Sequence, residues 1–252
     1  MSNKIALITG GSRGLGKNAA LQTAKKGFDV IITYQSKKEE AEKVVTAIKQ
    51  AGSKAAALQL DLNNVKSFDG FVSNVKAILK ETFASDKIDA LVNNAGIGHH
   101  SPYTETTEDA FDNMATMHLK APYFLTQKLL PLLKDGASIV NTSSGLARFS
   151  YAGYSAYGIM KAAIDSLTRY QAVELGTRKI RINSIAPGAI ETDFGGGFVR
   201  DNPELNKQIS SLSPLNRVGL PDDIGGVVAF LCSDESKWIN AQRIEVSGGI
   251  YA

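Results

Sequence analysis

The sequence predicts an α/β protein: one doubly wound parallel sheet of about seven strands, with helices on both faces. Three observations carry this. Short runs rich in β-branched residues recur along the whole chain. They are apolar at consecutive positions, as strands covered on two sides must be. Amphipathic stretches separate them in strict alternation, which is the pattern of βαβ units.

The elements follow in order. Strands are expected at residues 5–9, 30–34, 55–60, 90–93, 138–142, 180–185 and 243–246. Helical patterns lie at 15–26, 38–50, 65–82, 108–133, 157–175 and 222–231, with Pro131 suited to the last turn of the fourth. No repeat, low-complexity segment or linker divides the chain, so residues 1–252 read as one domain. The stretch 188–214 breaks the rhythm. It shows no strand and carries Gly195, Gly196 and Gly197 between Phe194 and Phe198. It follows a strand end, where open α/β sheets bind ligands, and reads as a long, irregular, mobile substrate loop.

Composition bounds the function. The 252 residues carry a net charge of +3, with 43% apolar and 21% charged residues, which is a globular composition. So small a charge gives no support to nucleic-acid binding. No apolar run approaches the roughly 18 residues of a membrane span, and residues 5–8 are too short for a signal-peptide core. The lone Cys232 excludes an internal disulfide and fits a reducing compartment. The expectation is a cytoplasmic protein with no membrane or nucleic-acid partner.

Thr9-Gly10-Gly11-Ser12-Arg13-Gly14-Leu15-Gly16 links the first strand to the first helix. Glycines there let backbone N–H groups approach a pyrophosphate, and the helix N-terminus adds partial positive charge. A dinucleotide site for NAD places a carboxylate at the end of the second strand. Here that end reads Tyr34-Gln35-Ser36-Lys37, and the first carboxylate is Glu39, already in the next helix. Arg13, Ser36 and Lys37 suit a 2′-phosphate instead, so the expected cofactor is NADP(H).

Tyr157 and Lys161 stand four residues apart near a helix start, so phenol and ammonium share a face. A cation ~4 Å from the phenol at an effective dielectric of ~20 contributes about 4 kcal/mol, or roughly three pKa units. That would bring Tyr157 from about 10 toward neutrality, where general acid–base catalysis works best. Ser144 ends the fifth strand at the carboxyl edge, placed to hold a carbonyl oxygen. Ser143 competes for the same role.

With these residues go Asp61-Leu62, Asn93-Asn94-Ala95-Gly96, Pro187-Gly188 and the tail Glu245-Val246-Ser247-Gly248-Gly249. In this order and spacing the chain resembles the short-chain dehydrogenase/reductase family over nearly its whole length. The nearest subgroup looks like the 3-oxoacyl carrier-protein reductases. The resemblance implies a Rossmann-type fold and a homotetramer or homodimer. It implies Tyr157 as general acid/base, Lys161 lowering its pKa and holding the nicotinamide ribose, and Ser144 orienting the substrate. Gly10, Ser12, Arg13, Gly14, Leu15 and Gly16 of the glycine loop are expected cofactor contacts, with Arg13 at the 2′-phosphate. Asp61 and Leu62 would meet the adenine, and Asn93, Ala95 and Gly96 would lie under its ribose. Pro187, Gly188, Ile190 and Thr192 would surround the nicotinamide.

The chain departs from the family at His118, where an Asn that holds a relay water is usual. Imidazole donates and accepts at different nitrogens, so His118 is expected to keep that role and to titrate in the working pH range. His99 and His100 follow the Asn-Asn-Ala-Gly segment and either line the substrate mouth or are simply exposed. A metal site is not expected, since adjacent histidines rarely converge and no matching carboxylate or cysteine accompanies them. Phe149, Tyr151, Tyr154, Phe194 and Phe198 either form an aromatic pocket or pack. The expected activity is NADPH-dependent hydride transfer between nicotinamide and a small-molecule ketone or secondary alcohol, with a 3-oxoacyl thioester or related ketone as substrate. The alternatives are a pterin or quinone reductase, or an NADP(H)-sensing binding protein without catalysis.

Overall fold

A computed structural model describes residues 3–251. The strands are β1 (Lys4–Ile8), β2 (Phe28–Tyr34), β3 (Ala55–Gln59), β4 (Ile88–Asn93), β5 (Leu133–Thr142), β6 (Arg181–Pro187) and β7 (Arg243–Val246). The helices are α1 (Gly14–Lys25), α2 (Lys38–Gln50), α3 (Phe68–Phe83), α4 (Glu108–Ala115), α5 (Ala121–Leu129), α6 (Ser155–Glu174), α7 (Phe198–Asp201), α8 (Pro203–Leu212) and α9 (Pro221–Cys232).

The strands form one parallel sheet in the order β3-β2-β1-β4-β5-β6-β7. Successive side chains of a strand point to opposite faces, and both faces are covered. On β1, Ile5 and Leu7 pack with Phe71 and Val75 of α3 and Leu125 of α5. Ala6 and Ile8 face the other way, toward Ala20 of α1, Val44 of α2 and Val228 of α9. This is why the strand sequences show no polar alternation. The strand order reverses between β1 and β4. The carboxyl ends of the strands therefore open a crevice at that point, the place where such sheets bind ligands.

Three expectations are corrected. The single helix expected at 108–133 is broken. A π-helical turn, Thr116–Lys120, lies between α4 and α5, and a 3-10 turn, Leu130–Leu132, follows α5 at Pro131. The extra residue of a π turn re-aims side chains, and here it carries buried His118. Next, β5 begins at Leu133 rather than at 138. Leu133 pairs with Ile88 ahead of a register shift, while exposed Lys134, Asp135 and Gly136 hide the strand from a hydrophobicity reading. Finally, 188–214 is not an irregular loop. It holds α7 and α8, and α8 is started by Asn202, whose side chain accepts the Leu205 N–H at 3.0 Å, with Pro203 as first helical residue. Asn before Pro is a helix-start signal that the sequence displays and the three glycines mask.

Candidate active site

The phosphate loop is held from below by Thr9. Its hydroxyl accepts the N–H groups of Asn94 and Ala95 at 3.0 Å each and donates to the Val92 carbonyl at 3.2 Å. The Asn94 amide returns a bond to the Thr9 carbonyl at 2.9 Å. The β1 and β4 ends are thus locked together at the crevice. Gly10 takes φ +66°, a conformation that favours glycine, and its N–H donates to the Thr33 hydroxyl at 3.1 Å. A Cβ on Gly16 would fall on the Gly10 carbonyl oxygen and the Asn94 amide. The loop is a backbone-lined cradle at the N-terminus of α1, in which Ser12 and Gly16 are buried and Arg13 is exposed.

At the end of β2, Tyr34 is half-buried and Gln35, Ser36 and Lys37 are exposed. Gln35 donates to the Asp61 carboxylate at 3.2 Å, tying the ends of β2 and β3. Asp61 is exposed, but the Leu62 side chain is buried among Phe68 and Phe71, so only its backbone faces the crevice. Asn93 likewise turns its side chain inward, donating to Thr126 at 3.0 Å and to Asn141 at 2.8 Å. Ala95 and Gly96 stay at the crevice.

The residues 187–192 cross to the same place. Pro187 ends β6, Gly188 lies so close to Ser247 that a side chain would collide, and Ile190 bridges to Gly219. The Thr192 side chain stands over Gly14 of the phosphate loop, at a distance where a Cβ added to Gly14 would just touch it. Its hydroxyl accepts the Phe194 N–H at 3.1 Å, and the Phe194 ring stands 6.0 Å from the Tyr157 ring. Loop, crossing segment and Tyr157 thereby surround one space. The glycine cradle at a helix N-terminus fits a dinucleotide, and the segment that ends β2 carries no carboxylate of its own.

The two serines are now distinguishable. Ser143 is buried and donates to the Lys161 carbonyl at 3.2 Å. Ser144 is half-buried, starts the turn Gly145–Ala147, and neighbours the Tyr157 phenol. Lys161 donates to the Thr142 carbonyl at 2.7 Å, and its ammonium lies 5.4 Å from the centre of the Tyr157 ring. The pKa pattern corrects the expectation for Tyr157. Burial pushes the phenol above its usual range, only partly offset by the Ser144 hydroxyl, while Tyr154 adds to the rise. Burial lowers Lys161 to about 7, opposed by the Asp165 carboxylate. Desolvation outweighs the attraction expected between them, so Tyr157 rests as a neutral phenol.

His118 is also corrected. Its Nε2–H donates to the Ile97 carbonyl at 2.8 Å, and its ring stands edge-on to Tyr157 at 5.1 Å between centroids. Burial, helped by the charge of Lys161, lowers its pKa to about 3, against which the Ile97 bond acts. The imidazole is neutral throughout the working range and does not titrate there. Its Nδ1 is buried with no hydrogen-bond partner among the described residues. Gly96 sits directly on the ring edge, where a Cβ would collide with it.

His100 stacks edge-on against Tyr154 at 4.9 Å. Phe149, Tyr151 and Tyr251 form one cluster, with the Tyr151 and Tyr251 hydroxyls 2.6 Å apart. Of the five candidate aromatics, Phe194 is the one whose ring pairs with the Tyr157 ring.

Fold and site together define a nucleotide-binding oxidoreductase of the doubly wound type. A family model described as enoyl-(acyl carrier protein) reductase matches residues 10–251. The chain belongs to the short-chain dehydrogenase/reductase family. It is 35% identical over 261 residues to the hydroxynaphthalene reductase-like protein Arp2 of Metarhizium brunneum, covering 99% of this chain and 95% of that protein. It is 38% identical over 251 residues to the 3-oxoacyl-(acyl-carrier-protein) reductase FabG of Staphylococcus aureus, covering 98% of each. Among solved structures, the landomycin C-6 ketoreductase LanV with bound NADP and rabelomycin superposes with a TM-score of 0.90. It shares 33% identity over 99% of this chain and 96% of that one.

Proposed function

We propose that the chain is an NADPH-dependent ketoreductase with Tyr157 as its general acid. The observation that carries the reading is the convergence of Ser144, Tyr157 and Lys161 at the carboxyl end of β5, beside the glycine cradle. When bound, the cofactor supplies the hydride, a proton with two electrons, to the carbonyl carbon. The protein's residues do the rest. Ser144 donates a hydrogen bond to the carbonyl oxygen. The Tyr157 O–H bond breaks as the alcohol O–H forms, and the phenolate left behind is balanced by the Lys161 ammonium. A phenol held protonated by burial is in the state that reduction consumes.

Exposed Arg13, Ser36 and Lys37 are assigned to the 2′-phosphate, which makes NADPH the preferred cofactor. The Phe194 ring beside Tyr157 favours a flat ring ketone at the mouth. The kinship to a hydroxynaphthalene reductase-like protein and to an angucycline-type ketoreductase supports that choice, and the 38% identity to a 3-oxoacyl reductase makes the 3-oxoacyl thioester the second reading. The deciding experiment follows NADPH consumption against tetralones and other fused-ring ketones, 3-oxoacyl thioesters, quinones and pterins. Fast turnover of ring ketones supports the reading, and turnover of thioesters alone selects the second. NADPH binding with no turnover of any class leaves the cofactor-sensing alternative.

A further inference from the structure

The serine that ends β5 is held in place by an arginine from the far end of the chain. Arg243 opens β7, and its guanidinium makes three separate contacts. One nitrogen donates to the Ser144 carbonyl oxygen at 3.0 Å, a second pairs with Glu245 at 3.1 Å, and Nε lies 3.0 Å from an Asp165 carboxylate oxygen as an ion pair without a hydrogen bond. Asp165 lies on α6 at the eighth position after Tyr157 and the fourth after Lys161, so the three share one helix face. Its other oxygen accepts the Ser184 hydroxyl at 2.9 Å. The far end of the serine turn is tied to the same strand. Arg148 donates to both oxygens of Glu245, at 3.0 and 3.3 Å, and to the Ile250 carbonyl at 3.3 Å.

We propose that Arg243 is a positioning residue of the reaction centre: its one guanidinium holds the Ser144 backbone and the Tyr157–Lys161–Asp165 face of α6 in fixed relation. This rests on the reading of Ser144, Tyr157 and Lys161 as that centre. Three observations favour it over a role in stability alone. The Arg243–Asp165 pair is largely buried, with side chains 21% and 10% exposed, and such pairs add little to stability after desolvation. The guanidinium hydrogen-bonds the Ser144 carbonyl through one nitrogen while a second lies against Asp165 as an ion pair, a spread of charge that a compact lysine ammonium does not reproduce. The group it fixes is the carbonyl of the residue whose hydroxyl would orient the substrate, and misplacing such a group by about 1 Å costs on the order of 10²-fold in rate.

The test uses the full chain with Arg243→Lys, Arg243→Gln, and Arg243→Gln combined with Asp165→Asn. Melting temperature, NADPH affinity by fluorescence, and kcat are read together. The Lys variant is expected to fold, to bind NADPH within threefold of wild type, and to lose at least tenfold in kcat. The Gln variant leaves Asp165 as a buried lone carboxylate and melts lower. The double variant removes that charge and recovers melting temperature without recovering kcat. Wild-type kcat in the Lys variant, or recovery of kcat along with melting temperature in the double variant, overturns the proposal. Hydrogen exchange over residues 143–149 reads the serine turn without turnover, so it decides the matter even if the wild type reduces no ketone. Faster exchange there in the Lys variant is expected, and unchanged exchange overturns the proposal.

Discussion

Tyr157, Lys161 and His118 sit within one buried cluster, and burial dictates their charge states. A neutral phenol, a lysine with its pKa lowered to about 7 and an imidazole neutral down to about pH 3 all follow from desolvation outweighing pairing. Tyr157→Phe is therefore expected to abolish ketone turnover while NADPH affinity changes by less than about threefold, measured by fluorescence titration. For His118 the sign of the linkage is definite. Its folded pKa of about 3 lies below the unfolded value of 6.5, so below pH 6.5 the unfolded chain binds the extra proton. Stability from this residue is complete above that pH and drains away down to about pH 3, by on the order of 5 kcal/mol. In urea titrations across that window, His118→Asn should lose stability less steeply than the wild type. The same variant should leave the shape of the kcat profile between pH 5 and 8 unchanged, because the native imidazole does not titrate there.

Turns and caps decide the elements around the crevice. The β1–α1 turn is closed by contacts that leave no room for a side chain at Gly16. Gly16→Ala should push the loop away from Gly10 and weaken NADPH binding at least tenfold, as read by calorimetry, with ketone chemistry lost in parallel. The helix α8 depends on Asn202 as its cap, and caps of this kind contribute about 1 kcal/mol. Asn202→Ala is expected to raise hydrogen exchange over residues 203–212 and to raise the ketone KM. NADPH affinity should stay as it is, since α8 begins at Pro203, beyond both the glycine loop and the 187–192 crossing. Neither α8 nor the π turn at His118 was read from the sequence. The first was hidden behind Gly195, Gly196 and Gly197, all at positive φ, and the second leaves no mark on helical periodicity because it inserts one residue into a pattern that continues on both sides.

At the scale of the molecule, the proposed preference for NADPH rests on charge at one corner of the crevice. Lys37 is exposed just after the β2 end, where an NAD enzyme would present a carboxylate of that segment, and Arg13 is exposed in the glycine loop. Arg13→Ala should weaken NADPH binding by about ten- to a hundredfold and leave NADH binding nearly unchanged, in line with the strength of a charge-assisted bond. None of the described helices is long and apolar enough to cross a membrane. The surface nevertheless carries large exposed side chains, with Trp238 97%, Tyr103 82% and Val173 79% exposed. Exposed apolar side chains scattered singly are normal on a protein surface, so the proposed oligomer rests on the family resemblance. The expected partner is further copies of this chain, and light scattering should return the mass of four chains, or of two.

What the sequence determined by itself was whatever local chemistry encodes: seven strands from short, largely apolar runs, the glycine turn from its position between strand and helix, and Tyr157 and Lys161 on one face from their four-residue spacing. Residues far apart in the chain were settled only by tertiary structure. It buried Ser143 on the Lys161 carbonyl and left Ser144 half-buried beside the Tyr157 phenol. It turned Asn93 and Leu62 into the interior, set Phe194 beside Tyr157, and brought Arg243 to Ser144 across 99 residues of chain. It also reversed the expected pKa logic. Spacing along a helix states which groups are neighbours, whereas their protonation depends on how completely the fold excludes water, and no local pattern in the chain carries that quantity.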